Sequence, residues 1–335
     1  MTLQDFAQDE SLRATIRRLQ QQLAQAKDAK ADLIDAVYQA AKDGYVAVGP
    51  PPKVERLPRD RRKHAEEVAL IHFTDWQRGK VTETYSPAIC DARIDLAIDK
   101  IATITDVQRA DHPVKRAAVM IGGDNLENIN IFPGQEREVE GYAYQQLFGL
   151  TNLLKHTFRR LLTVFETIDA YEQEGNHGRI GRKAEWPRTE NLDLMAMEIT
   201  RRELASEKRI IWHPRQTWHQ MVPIGNYTAM LVHGDQIKSF GGNLPSYGIV
   251  RRATAWAAGV VEPYTDLYLG HFHQVMRLPL PNGRAVFMTG SPESGNEYAR
   301  EFIGGTGQPS QRLHFVDPER GRVTAEYVLW LDEIK

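Results

Sequence analysis

Apolar and polar residues alternate along this chain in two rhythms, one typical of strands and the other of helices. Short apolar runs, such as VALIHF at 68–73, AAVMI at 117–121 and TAMLV at 228–232, predict buried strands. Apolar residues at helical spacing predict helices over residues 87–109, 138–165 and 189–206. Strand-like runs dominate after residue 208. The alternation of the two element types predicts an α/β protein.

The N-terminal segment has the spacing of one long helix over residues 3–43, which Gly44 would end. Its apolar residues recur at alternating steps of four and three from Leu12 to Ala40, with the polar Lys30 in one slot. A seam this narrow favours a coiled coil between at least two chains. The alternative is an amphipathic helix that packs on the rest of its own chain.

A proline-rich and basic segment separates this helix from the rest of the chain. Pro50, Pro51 and Pro52 favour an extended backbone, and five basic residues follow with one acidic residue within positions 56–63. Such a run is either a solvated linker or a contact for the phosphate backbone of a polynucleotide. The chain is therefore expected to comprise an N-terminal helix at 1–45, a linker at 46–66 and a globular domain at 67–335.

Composition narrows the class of protein further. The chain has 335 residues, 41% of them hydrophobic and 26% charged, and a net charge of −2, so any basic surface must be local. Its single cysteine, Cys90, excludes an intramolecular disulfide and a thiolate-rich zinc site. The N-terminus is not a secretory signal, and no apolar run approaches the roughly 20 residues of a membrane helix. A cytoplasmic protein without a membrane partner is expected.

Polar residues with metal-binding side chains follow most of the predicted strands. Carboxylate, amide and imidazole groups rarely gather in this way by chance, and the carboxyl ends of buried strands are where an α/β protein places its chemistry. The five segments are Asp75-Trp76-Gln77, Gly123-Asp124, Gly175-Asn176-His177, His233-Gly234-Asp235 and Gly270-His271-Phe272-His273.

This ordered set resembles the calcineurin-like metallophosphoesterase superfamily, whose pattern is D-x-H, GD, GNH, a His and then G-H-x-H. The segments DWQRGK, GGDNLEN and TGSPESGNEYARE are further similar to phage-encoded members of the DNA-repair-exonuclease type. The resemblance extends from about Val68 to Asp332. It implies a four-layer αββα sandwich, in which two mixed sheets are flanked by helices, here with an N-terminal helical extension. For a phage-encoded chain, the expected location is the host cytoplasm.

The resemblance also implies a centre for two divalent cations with Asp124 as the bridging ligand. One cation would use Asp75, Gln77, Asp124 and His273, and the other would use Asp124, Asn176, His233 and His271. Gln77 stands where the usual member has His, so one site is richer in hard oxygen ligands. This composition favours Mn²⁺, with Mg²⁺, Fe²⁺ or Zn²⁺ as alternatives.

His177 is the catalytic residue that the resemblance implies, either as the proton donor to the leaving oxygen or as a group that stabilises the transition state. The usual member has an acidic residue directly after this His, whereas this chain has Gly178. Some other carboxylate or carbonyl must therefore orient His177. Asp235 is a candidate partner for a ligand imidazole.

Three basic residues follow His177 and are either solvated loop cations or contacts for the phosphates that flank the scissile one. They are Arg179, Arg182 and Lys183. Trp76 is either a core residue or a stacking surface for a base. The segment from Ser239 to Tyr247 is expected to be a loop.

The resulting hypothesis is a metal-dependent phosphodiesterase that acts on nucleic acid, with DNA as the expected substrate. One alternative is a phosphatase or a phosphodiesterase for small or cyclic nucleotides. Another is a non-catalytic metal-binding scaffold that oligomerises through its N-terminal helix. The expected partners are a nucleic acid substrate and a second copy of the chain.

Overall fold

Eleven strands and four α-helices make up the part of the chain that the computed structural model describes, namely residues 53–55, 65–132, 134–181, 183–238, 245–295 and 307–334. The strands are β1 (Glu67–Phe73), β2 (Val114–Ile121), β3 (Thr167–Glu172), β4 (Ile210–His213), β5 (Gln220–Ile224), β6 (Tyr227–Val232), β7 (Asp266–Leu269), β8 (Met276–Pro279), β9 (Ala285–Met288), β10 (Ser310–Asp317) and β11 (Arg322–Trp330). The helices are α1 (Pro87–Gln108), α2 (Ala143–Leu161), α3 (Leu192–Glu203) and α4 (Ser246–Ala255). The predicted N-terminal helix at 1–45 and the basic run at 56–63 lie outside these residues.

The strands form two mixed sheets. The first has the order β11-β10-β1-β2-β3-β4, in which β1 to β4 are parallel and β10 and β11 are antiparallel additions. The second has the order β5-β6-β7-β9-β8, in which β6, β7 and β9 are parallel and the two edge strands are antiparallel. The parallel strands of each sheet end at one edge, and their following loops meet there.

The two sheets pack face to face, with helices outside them. Leu70 and Met120 of the first sheet share one buried core with Leu231 and Phe287 of the second. The alternate residues of β6 and β7 point the other way and pack against α4 and the π-helical turn that follows it. Helices α2 and α3 pack on each other, and α1 contacts β11 of the first sheet. The αββα sandwich of two mixed sheets flanked by helices is therefore confirmed.

Helix α3 is shorter than predicted, with residues 192–203 instead of 189–206, and two further features differ from the sequence prediction. Helix α2 begins at Ala143 instead of 138, because a short 3₁₀ turn at Gln135–Arg137 and Gly141 at φ 82° precede it. Helix α4 was not predicted, and its start at Ser246 falls within the expected loop from Ser239 to Tyr247. The loop's remaining residues, 239–244, lie outside the described part of the chain.

Candidate metal centre

Seven side chains converge where the strands of both sheets end. They are Asp75 and Gln77 after β1, Asp124 after β2, Asn176 after β3, His233 after β6, and His271 and His273 after β7. Backbone hydrogen bonds tie these loops together: Asp75 N donates to the Gly123 carbonyl at 2.9 Å, and Gln77 N donates to the Asp124 carbonyl at 3.0 Å. The backbone N–H of His271 donates to the Asp75 carboxylate at 2.9 Å, which joins the second sheet to the first.

The loops hold these residues in an unusual backbone conformation. Eight residues other than glycine have positive φ in the described part of the chain, and five of them belong to this group: Asp75, Gln77, Asp124, His271 and His273. Left-handed backbone costs about 1–3 kcal/mol for such residues and persists where the surrounding structure enforces it, often at functional sites. Because the segment turns at both histidines, His271 and His273 reach the centre from one loop, which an extended segment would not allow.

Two glycines that flank these residues, Gly175 and Gly270, lie too close to a carboxylate for any side chain to fit. A Cβ at position 270 would collide with the Asp75 carboxylate, and one at position 175 would collide with Asp124. The loops therefore pack so closely around the two carboxylates that no side chain fits between them.

One set of donors, called the Gln77 side, comprises Asp75, Gln77 and His273. The Nε2 atom of His273 lies 3.4 Å from Asp75 Oδ1 and 3.4 Å from the Gln77 amide nitrogen. Its Nδ1 atom lies 2.9 Å from the buried carboxylate of Glu293, which also pairs with Lys80 at 2.9 Å. Glu293 thus fixes the ring of His273 so that Nε2 faces the centre.

The other set, called the Asn176 side, comprises Asn176, His233 and His271. The Nε2 atom of His233 lies 3.0 Å from Asp124 Oδ2 and 3.3 Å from Asn176 Oδ1, while its Nδ1–H donates to the Gly122 carbonyl at 2.9 Å. Ligand atoms of Asp124, His233 and His271 all lie within 4.8 Å of one another, a group that could hold a metal ion. The loop that carries Asp124 is hydrogen-bonded to the loop of Asp75 and Gln77, and the Asp124 carboxylate lies beside His233. Asp124 is therefore adjacent to both sides.

The electrostatics of the donor set suit a cation. Burial lowers the pKa of His233, but the adjacent Asp124 carboxylate outweighs this effect and raises the pKa to about 10. Burial likewise lowers the pKa of His273, and Asp75 with Glu293 raises it to about 10. The same negative potential that favours a proton on these rings attracts a divalent cation. The buried Gln77 Oε1 atom has no hydrogen-bond partner among the described residues, so this oxygen is available to a cation.

His177 lies beside Asp124 and is oriented by Glu127, which the sequence analysis did not identify. The Nδ1 atom of His177 lies 3.0 Å from the Glu127 carbonyl and 3.3 Å from its carboxylate, while Nε2 lies 4.0 Å from Asp124 Oδ2. Burial lowers the pKa of His177, but Glu127 and Asp124 raise it to about 9. The signal available in the sequence was an acidic residue three positions after Asp124, in the segment GGDNLEN.

The structure explains why position 178 is a glycine. A Cβ there would collide with the Asn191 side-chain oxygen and lie 2.8 Å from Asp193 Oδ2. Asn191 caps α3, and its side chain accepts a hydrogen bond from Asp193 N. The start of this helix thus occupies the space beside position 178, and the acidic partner of His177 comes from another loop.

Asp193 joins the loops that follow β2 and β3. Its carboxylate accepts hydrogen bonds from the backbone N–H groups of Asp124 at 2.9 Å, Asn125 at 3.0 Å and Gly175 at 3.1 Å. Burial and the nearby Asp124 raise the pKa of Asp193 to about 6. One buried side chain thus holds two loops of the centre in register.

The remaining predictions for this region have mixed outcomes. Both carboxylate oxygens of Asp235 accept hydrogen bonds from Arg188, and the negative charge of Asp235 also acts on His233 and His271. Trp76 is fully buried and its indole N–H donates to Gln311, so it is a core residue rather than a stacking surface. Arg179 and Lys183 line a cleft beside Asn176. Arg182 lies outside the described residues.

No helix in the described part of the chain has both the length and the apolar character that crossing a membrane requires. No protein-family model matches the chain. No curated protein sequence matches it either.

Several solved structures resemble the chain loosely. The wild-type Vps29 complexed with Zn²⁺ from Entamoeba histolytica is 12% identical over 78% of this chain and 99% of that chain, with a TM-score of 0.36. A predicted phosphoesterase from Streptococcus pneumoniae is 10% identical over 79% and 99%, with a TM-score of 0.32. The sulfate thiohydrolase SoxB from Thermus thermophilus is 9% identical over 83% and 59%, with a TM-score of 0.35. The fold described above rests on the strand order and register of this chain itself.

Proposed function

We propose that this chain is a metal-dependent phosphoesterase of the calcineurin-like metallophosphoesterase superfamily, and that it hydrolyses phosphodiester bonds in DNA. The observation that carries the proposal is the convergence of seven oxygen and imidazole donors, the buried Asp124 among them, five of which are on left-handed backbone. Strained backbone that positions potential metal ligands is expected at a catalytic centre rather than in a structural core.

Two divalent cations, Mn²⁺ by preference, would be held by the Gln77 side and the Asn176 side, with Asp124 between them. Bound there, such a pair supplies charge neutralisation for the phosphate and a water of lowered pKa. The donors mix carboxylate, amide and imidazole groups, a set that suits Mn²⁺, Fe²⁺ or Zn²⁺ as well. The buried Gln77 oxygen without a partner supports the Gln77 side as a cation site.

His177 is proposed to give a proton to the leaving oxygen. Its Nδ1–H is held by Glu127, so Nε2 is the atom that faces Asp124 and the substrate. The Glu127 carboxylate stabilises the protonated ring, and the fixed ring orientation keeps Nε2 aimed while the leaving group departs. Glu127 is a positioning residue in this scheme because it acts through His177.

A polymeric substrate is supported by the cleft beside Asn176. Arg179 and Lys183 line it, and both would lie along a phosphate backbone whose scissile group sits at the centre. Arg182 is proposed as a third contact from its place in the sequence. A phosphatase or a phosphodiesterase for small or cyclic nucleotides is the second candidate, since one metal pair serves monoesters and diesters alike.

A substrate panel tests the proposal. Purified protein with Mn²⁺ is offered single-stranded DNA, double-stranded DNA, RNA, cyclic nucleotides and chromogenic phosphate mono- and diesters. Cleavage of DNA and of the diester chromogen is expected to exceed cleavage of the monoester. Preference for the monoester or for cyclic nucleotides would favour the second candidate. A protein that binds metal but hydrolyses none of them would be the non-catalytic scaffold.

The N-terminal segment is proposed to join two chains. Deletion of residues 1–45 is expected to yield a monomer that still cleaves small diesters, because the seam from Leu12 to Ala40 would be lost. Two basic runs in one dimer would bind long DNA by avidity, so the deletion variant should bind it more weakly and with a shallower salt dependence. Sedimentation of the full-length protein as a monomer at micromolar concentration would contradict this.

A further inference from the structure

An exposed aromatic ring lies directly against the proposed proton donor. The ring of Phe132 meets the imidazole of His177 edge to face, with centroids 5.9 Å apart and an angle of 72°. Although it packs against this buried centre, the Phe132 side chain remains 39% exposed. An exposed large apolar side chain at the border of a charged centre loses contact with water only when a ligand covers it.

The position of Phe132 is fixed by polar contacts of its loop. Asn128 Nδ2 donates to the carbonyls of His177 at 2.8 Å and Arg179 at 3.1 Å, and Asn128 itself has a left-handed backbone at φ 69°. In return, Arg179 Nη2 donates to the carbonyl of Ile131 at 3.1 Å. The loop is thus joined on both sides to the segment that carries His177, and Phe132 keeps its place relative to the imidazole.

We infer that Phe132 is a stacking surface for the nucleobase on the leaving-group side of the scissile phosphodiester. The inference rests on the proposed function, because a proton donor must lie within about 3 Å of the leaving oxygen. The leaving nucleoside is then within reach of the ring beside His177. Aromatic rings stack on every base, so this contact favours nucleotidyl diesters over phosphate esters of small alcohols without selecting a sequence.

A dinucleotide assay with matched analogues tests the assignment. The thymidine dinucleotide d(TpT) is compared with two analogues that lack the base on the 5′ or the 3′ side of the phosphate. Phe132→Ala is expected to lower kcat/KM for d(TpT) about tenfold. The position of the phosphate in the products identifies which nucleoside leaves. For the analogue that lacks the base on that side, Phe132→Ala should leave kcat/KM unchanged. Phe132→Trp keeps an aromatic ring at this position and should cleave d(TpT) at the wild-type rate.

Trp330→Ala serves as the control, because Trp330 is 44% exposed at the end of β11, an edge strand of the first sheet. This variant should leave kcat/KM unchanged for d(TpT) and for both analogues. Equal loss on d(TpT) and on both analogues would overturn the inference, since it would indicate a general disturbance of His177. Hydrolysis of diesters by the wild type with no effect of Phe132→Ala would overturn the stacking role while leaving the proposed function intact.

Binding provides a readout that does not depend on turnover. A phosphorothioate dinucleotide with 2-aminopurine on the leaving side should bind the wild type with quenched fluorescence, because stacking quenches this base. Phe132→Ala should bind it about tenfold more weakly. If the wild type hydrolyses no diester but shows this Phe132-dependent quenching, the proposed function fails and the base site stands. Bound probe as bright as free probe would overturn the base site.

Discussion

The two sides of the candidate centre support their imidazoles in different ways. On the Gln77 side, the buried carboxylate of Glu293 lies against His273, whereas on the Asn176 side the neutral carbonyl of Gly122 accepts from His233. Each side has one amide, but the Gln77 side has a carboxylate, Asp75, where the Asn176 side has a second imidazole. A carboxylate partner makes an imidazole a stronger donor, so Glu293 strengthens the single imidazole of the Gln77 side. The comparison indicates that the side with one imidazole gives that imidazole the stronger support.

The largest effect is expected from replacing Asp124, the residue between the two sides. Asp124→Ala should lose both cations and all measurable turnover, since both sides depend on this carboxylate in the two-metal scheme. Metal content and diester hydrolysis are measured on the same preparation. Asp95→Asn, a substitution in a surface ion pair with Arg160, is the control and should behave as wild type. Full turnover of the Asp124 variant would end the two-metal proposal.

The second prediction separates the loss of catalysis from the loss of metal binding. His177→Ala should retain both cations and lose turnover by roughly 10²–10⁴-fold, the usual range for general acid assistance. Single-turnover kinetics and metal analysis measure the two quantities. His156→Ala, at an exposed histidine paired with Asp95, provides the control. Loss of metal from the His177 variant would make it a ligand instead.

The third prediction concerns metal affinity, which should fall on the Gln77 side only. Glu293→Gln is expected to weaken metal binding at the Gln77 side by roughly 10–100-fold, the usual cost of losing an outer partner of a metal ligand. Calorimetric titration of the metal-free protein should then show one tight and one weakened site. Glu333→Gln is a matched control, because that exposed carboxylate pairs with Lys100 at 2.7 Å. Equal weakening of both sites would remove the distinction between the sides.

The smallest effect concerns metal preference. Wild-type protein should be more active with Mn²⁺ than with Zn²⁺, because Gln77 adds an oxygen donor to its side. Gln77→His replaces that oxygen with nitrogen and should shift the ratio of activities toward Zn²⁺ by roughly tenfold. Activity titrated with each metal in parallel measures the shift. An unchanged ratio would mean that position 77 does not contact the metal.

The sequence predicted the strands and their following polar residues because both are local signals. The apolar run at 228–232 and the ligand after it are contiguous in the chain, and β6 extends this run by only one residue, to Tyr227–Val232. Helix α4 was missed although Ile249, Ala253 and Trp256 have helical spacing and pack on the second sheet. Its ten residues follow a glycine-rich segment and include Gly248, which weakens the helical pattern.

The supporting residues could not be predicted, since each lies far along the chain from the group that it supports. Glu293 lies 20 positions after His273, in the segment TGSPESGNEYARE, whose resemblance assigned no role to this carboxylate. Asp235 shows the converse: it follows His233 closely, yet its side chain turns to Arg188. Adjacency in the sequence was a poor guide to polar partners, because loop conformation decides them.

Asp193 has a consequence for the metal-free state of the protein. Since its carboxylate already fixes the loops that carry Asp124 and Asn176, their conformational freedom is lost when the chain folds and not when ions bind. Metal ions should then exchange at this centre without local refolding, and the apoprotein should keep the amide protection of these loops against hydrogen exchange. A centre organised in this way would be regenerated by adding the proposed metal to the apoprotein.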